Sequence, residues 1–118
     1  MSRDILARTV RAFAALLFAG ALVAQDPTLE QLDAARAKLR PLLDALVQVE
    51  SSGRDDAVGD NGNARGSLQI WRVYWSDALE HAPAIGGAYE DVRTRVYAER
   101  VVVAYWLRYA AAAVRDGD

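Results

Sequence analysis

Cysteine is absent, and with it disulfide bridges, thiolate nucleophiles and thiolate metal ligands. A single histidine, His81, leaves little scope for an imidazole metal centre or a Ser-His triad. No metal and no cofactor are expected. Charge of one sign is also scarce: the formal net charge of -2 offers no general attraction for nucleic acid, so no nucleic-acid partner is expected. No internal repeat or low-complexity tract is visible. What is present is apolar surface, 53% of the residues, which suits a packed core and argues against disorder. At 118 residues the chain fits one domain. Hydrolytic chemistry in such a chain would fall to carboxylates.

The first 11 residues carry Arg3, Arg8 and Arg11 against one acid, Asp4, and residues 12–24 are wholly apolar or small. A basic start followed by a short apolar run is the pattern of a secretory signal peptide, and the run is short for a membrane span. Ala19-Gly20-Ala21 offers one small-x-small cleavage site, and Ala24 a second. An ordinary buried first helix is the plain alternative. The leader reading assigns residues 1–24 to the signal peptide and residues 25–118 to a secreted or periplasmic domain, with no stable membrane insertion after cleavage. Its removal takes away more arginine than acid. A polyanionic partner would then need a local basic patch, and none is visible along the sequence.

In the remaining chain, Thr28 followed by Gln31 reads as a capping box. Leu29, Leu32, Ala35, Leu39, Leu42 and Leu43 follow at helical spacing. Pro41 should kink that helix or start a new one. The segment from Pro41 to about Ser51 presents Leu42, Leu43, Ala45, Leu46 and Val49, enough for a central, well-buried helix that Gly53 would end in a left-handed conformation. Asn61-Gly62 predicts a two-residue hairpin turn, flanked by Ala57-Val58 and Ala64-Arg65. Residues 67–81 read as a helix or a broken pair of helices, and residues 82–87 as a loop. The longest helical pattern runs from Tyr89 to about Val114, with Val92, Val96, Val103, Trp106 and Ala110 on one face. Asp91/Arg95 and Arg95/Glu99 would pair on the other. The expected architecture is mainly α, a helical domain with one small β-hairpin lobe.

Glu50 stands out within this frame. It falls at the negative end of a helix dipole, beside the apolar Val49. Both features oppose ionisation, and a carboxyl still protonated near neutral pH can donate to a departing glycosidic oxygen. A solvated acid at a frayed helix end is the bland reading of the same position.

The residues after Glu50 carry a resemblance. Glu50-Ser51, then Ala57-Val58-Gly59-Asp60, then Gly62-Asn63-Ala64-Arg65-Gly66-Ser67-Leu68-Gln69-Ile70 resembles the pattern of goose-type lysozymes and soluble lytic transglycosylases. That pattern is a Glu-Ser pair, a glycine-rich hairpin and a Gly-x-(Leu/Met)-Gln-(Ile/Val) return, and the match covers about twenty residues in order. The resemblance implies an α+β lysozyme-like fold with the hairpin lobe beside the catalytic helix. It implies peptidoglycan glycan strands as partner and cleavage of the MurNAc-GlcNAc β-1,4 bond, with Glu50 as the proton donor.

By the same resemblance Asp60 matches the goose-type acid that positions the attacking water of an inverting hydrolysis, which needs carboxylates about 6.5–9.5 Å apart. Asp60 could equally close a turn. Goose-type enzymes carry a further Asp after the Gln-Val step, where this chain has Trp71. That departure leaves open a transglycosylase route, in which the sugar's own 6-hydroxyl attacks and one carboxylate suffices. Gln69, Ser51 and Asn63 match motif positions suited to sugar contacts, although Ser51 could bond helix backbone and Asn63 could hold the hairpin. Trp71, Tyr74, Trp75, Tyr105 and Trp106 could stack on sugars or simply fill the core. Tyr105 is the candidate for the cleft tyrosine that the transglycosylases carry on their last helix, with Tyr97 or Tyr109 as substitutes. The Asn and Gly that precede that tyrosine are replaced here by Ala98 and Val102. His81 reads as a surface or cap residue, and Asp55-Asp56 as a solvated pair instead of a calcium site. The rival functions are a non-catalytic glycan-binding module of the cell envelope and a small helical interaction protein.

Overall fold

The computed structural model describes residues 25–116, so the leader reading of residues 1–24 lies outside the described residues. Among the described residues the fold is mostly helical with a small three-stranded antiparallel sheet. Helix α1 (Leu29–Lys38) opens on the expected capping box: Gln31 N donates to Thr28 Oγ1 at 3.1 Å, and Thr28 N to Gln31 Oε1 at 2.9 Å. The chain bends at Leu39, and α2 (Arg40–Ser51) begins with Pro41 in its first turn, where a missing N–H costs nothing.

The α2 helix buries one stripe, Leu43, Val47 and Ser51, spaced four residues apart. Leu42 and Val49 are exposed, so α2 is not the central helix that its leucines predict. That place belongs to α4 (Arg95–Tyr109), which buries residues on nearly every side, including Val101, Val102 and Val103. It packs against α1, α3 (Arg72–His81) and the short α5 (Ala111–Asp116). The α2 helix ends at Ser52 in the left-handed region, followed by Gly53 at φ 84°.

The sheet is β1 (Val58–Gly59), β2 (Ala64–Arg65) and β3 (Ile70–Trp71), in that spatial order. Gly59 faces Ala64 across the hairpin, and Ala64 faces Trp71 across the second pairing. The turn is four residues long, not two. Asp60, Asn61 and Gly62 all have positive φ, and Asn63 N donates to Asp60 O at 3.2 Å to close a 3₁₀ turn. Strand β3 replaces the start of the helix expected from Ser67. Gln69 is held at φ 49°, outside the right-handed helical region, so the helix begins only at α3 (Arg72–His81).

Pro83–Ile85 forms a 3₁₀ turn in the expected loop, and Tyr89–Arg93 a second. This second turn, the extended Thr94 and the non-helical Ala110 divide the expected single C-terminal helix into a 3₁₀ turn, α4 and α5 (Ala111–Asp116). Val96 and Ala110 are exposed, so the expected face is not continuous. The expected charge pairs on that segment do not form. Asp91 instead caps the 3₁₀ turn through Ala88 N at 2.8 Å. Arg95 donates to Ser67 Oγ at 2.9 Å, and Glu99 points inward. The bend at Leu39 brings the last turn of α1 beside the first turn of α2, so that Arg36 and Arg40 converge on Glu99 with N–O distances of 2.6–3.1 Å. This charge cluster ties both helices to α4.

Candidate active site

Because Leu43, Val47 and Ser51 face the core, the ridge beside them, Leu46 and Glu50, faces outward along one side of a groove. The opposite side is built by Tyr74 and Asp77 of α3 with Tyr105 and Trp106 of α4. The β2–β3 turn supplies Gln69, β3 supplies Trp71, and the floor includes the apolar Leu68 and Val102. The cavity volume is about 490 Å³. Its lining, mostly apolar and aromatic with a few polar groups, suits a ligand with apolar faces and a polar edge.

Glu50 is exposed and, among the described residues, hydrogen-bonds to no other side chain. Val49, expected to give it apolar cover, is 80% exposed and gives none. Leu46, one turn back, is its apolar neighbour on the groove wall.

Gln69 lies on the groove, but its amide nitrogen is committed to the lobe, donating to Gly66 O at 2.9 Å and Ala57 O at 3.2 Å. Its carbonyl oxygen presses so closely on Gly59 that a side chain there would collide with it. Gly66, at φ 81°, approaches the Val92 carbonyl with no room for a Cβ. The glycines of the motif therefore let the hairpin close over Gln69 and seat the lobe against the 3₁₀ turn before α4. Tyr89, from the 3₁₀ turn, fixes the other edge of the lobe with its hydroxyl 2.5 Å from Ile70 O and 3.1 Å from Asn63 O.

Asp60 lies off the groove wall. Its carboxylate accepts a hydrogen bond from Trp71 Nε1 at 3.3 Å, so it orients that ring from outside. Ser51 is buried, with its hydroxyl donating to Val47 O at 3.0 Å inside its own helix. Asn63 is exposed on the hairpin and absent from the groove lining. Of the six candidate residues, Glu50, Gln69 and Tyr105 share the groove.

Tyr105 stacks on Tyr74 with centroids 3.9 Å apart and packs at 4.8 Å against Tyr109. Burial pushes the Tyr74 hydroxyl well above the usual tyrosine range, so that ring stays uncharged at physiological pH. Tyr97 is committed elsewhere, donating to Gly86 O at 2.6 Å and accepting from Trp75 Nε1 at 2.9 Å. Tyr109 donates to Asp77 Oδ2 at 2.7 Å, a bond that raises the pKa of its own hydroxyl.

Asp77 is the groove acid that sequence reasoning missed. Its position three residues after Tyr74 on one helix face was the available signal. Arg108 and Tyr109 occupy its two carboxylate oxygens. Glu50 is thus the groove carboxylate with no partner among the described residues.

No family model, curated protein or solved structure matches this chain.

Proposed function

We propose that this groove cleaves the MurNAc-GlcNAc β-1,4 bond of peptidoglycan, in a lysozyme-like fold, with Glu50 as the proton donor. The observation that carries the reading is that Glu50 and Gln69, nineteen residues apart in the motif, line one groove together with Tyr105 of α4. A glycan strand lying there would sandwich Glu50 against Leu46 and exclude the water that now surrounds it. The exclusion of water that a general acid needs would then come from the substrate.

The distribution of carboxylates favours the one-carboxylate route. Asp60 is turned to Trp71 outside the groove, and Asp77 is held by Arg108 and Tyr109. Glu50 protonates the leaving GlcNAc oxygen as the muramoyl C1–O bond breaks. The Glu50 carboxylate then takes the proton of the muramoyl 6-hydroxyl as that oxygen bonds to C1, leaving an anhydro end and restoring the acid. Such a substrate agrees with a location in or beyond the cell envelope. Isolated cell-wall sacculi digested with the protein should release muropeptides ending in anhydromuramic acid, read by mass spectrometry. Reducing ends instead would refute the one-carboxylate route. No release at all would leave the glycan-binding module as the better account.

A further inference from the structure

Just past β3, at Arg72, the chain enters a second, smaller hollow of about 250 Å³, lined by Arg65, Arg72, Tyr89, Glu90 and Arg93. The three arginines are scattered along the sequence, which is why no basic patch is visible there. Strand β2 brings Arg65, the first turn of α3 brings Arg72, and the 3₁₀ turn before α4 brings Arg93. Two of the three heads are held in place. Arg65 Nε donates to Gly62 O at 2.9 Å, which leaves its terminal nitrogens for the hollow. The Arg72 guanidinium lies 4.7 Å over the Tyr89 ring, and the Tyr89 hydroxyl is itself fixed by two carbonyls. The Arg93 side chain makes no hydrogen bond or ion pair among the described residues. Against these three cations stands Glu90, whose closest approach to Arg72 is 3.8 Å with both side chains about two-thirds exposed. Such a pair does little to offset three like charges.

We propose that this hollow is a carboxylate-binding pocket that takes a free carboxylate of the peptide stem borne by muramic acid. Converging guanidiniums present paired N–H donors matched to the two oxygens of a carboxylate. Trp71 on the groove wall is joined directly to Arg72 in the hollow, so the strand that lines the sugar site also leads to the anion site. The choice of occupant rests on peptidoglycan being the substrate; the anion site itself does not.

The test titrates the protein with a synthetic stem tripeptide bearing free carboxylates, following the arginine Nε–Hε signals by NMR. Binding should weaken as salt is raised. An amide-capped tripeptide should bind about tenfold more weakly, and the Arg72→Gln/Arg93→Gln variant should lose a similar factor. A Glu50→Gln protein should bind the tripeptide as well as wild type, so a failure of cleavage would leave this result standing. Equal affinity for free and capped peptides overturns the proposal with no variant needed. So does unchanged binding by a folded double variant. Tighter binding of poly(glycerol phosphate) than of the tripeptide would overturn the stem as the occupant.

Discussion

Replacing Glu99 with glutamine keeps the side-chain shape but removes the negative charge on which Arg36 and Arg40 converge. Glu99 is fully buried and accepts four N–H bonds from the two arginines. Deleting one partner of a buried ion pair costs about 3–5 kcal/mol, because the charge left behind is uncompensated. Here the low end applies. Arg36 can turn wholly to Asp33, already 3.1 Å away, and Arg40, with its side chain 40% exposed, to Asp44 at 3.2 Å and to water. A loss of about 3 kcal/mol is expected, which lowers the melting temperature by roughly 12–24 °C in a domain of this size.

The loss should depend on pH in a defined direction. Burial works to raise the Glu99 pKa, but the hydrogen bonds from Arg40 and Arg36 outweigh it and hold the group below the usual glutamate range. A carboxylate depressed in the folded state stabilises above its unfolded pKa and loses that contribution as pH falls through the folded value. The gap between wild type and Glu99→Gln should therefore be full near pH 7 and shrink below about pH 4.5. Asp33, held at about 2 by its hydrogen bond to Arg100, loses its own contribution between its ordinary 3.8 and about 2. That loss falls on both proteins and begins below the pH at which the gap starts to close. Urea denaturation at several pH values measures the gap. A gap under about 1 kcal/mol near pH 7, or one that does not change on acidification, would refute the reasoning.

Three further outcomes are expected. Gly66→Ala should cost about 1–3 kcal/mol from its left-handed backbone alone, with more from the Val92 carbonyl it displaces, and a melt no lower than wild type would contradict the close approach. Asp60→Asn should keep muropeptide release within about fivefold of wild type, because the amide can still accept from Trp71 and no proton is routed through that side chain. A loss of a hundredfold would return Asp60 to the chemistry. Tyr89→Phe leaves the Ile70 and Asn63 carbonyls without their shared donor and should cost about 1 kcal/mol in denaturant titrations, against no change if water replaces the hydroxyl freely.

Local signals were legible in the sequence where one residue decides the geometry. Thr28 with Gln31 started α1, Pro41 started α2, and Ser52-Gly53 stopped it. What escaped notice depended on tertiary partners. The Arg95/Glu99 spacing is ideal for a surface pair, yet Glu99 turned inward because two arginines from another part of the chain meet there. Helical periodicity across residues 67–71 lost to the positive φ at Gln69, which the lobe imposes through the Ala57 and Gly66 carbonyls. Within the candidate site, the spacing that linked Glu50 to Gln69 brought both to one groove. Residue types alone could not separate Ser51 and Asn63, which stayed out of it, from Asp77, which lines it. Nor could they assemble Arg65, Arg72 and Arg93, which only folding makes neighbours.

Glu50 carries the central claim, and its exposure makes the test a clean one: Glu50→Gln removes an acid without disturbing the core. Muropeptide release from sacculi should fall by about 10²–10⁴-fold, as for loss of a general acid, while the melting temperature stays at the wild-type value. Release at the wild-type rate by the folded variant would contradict the account.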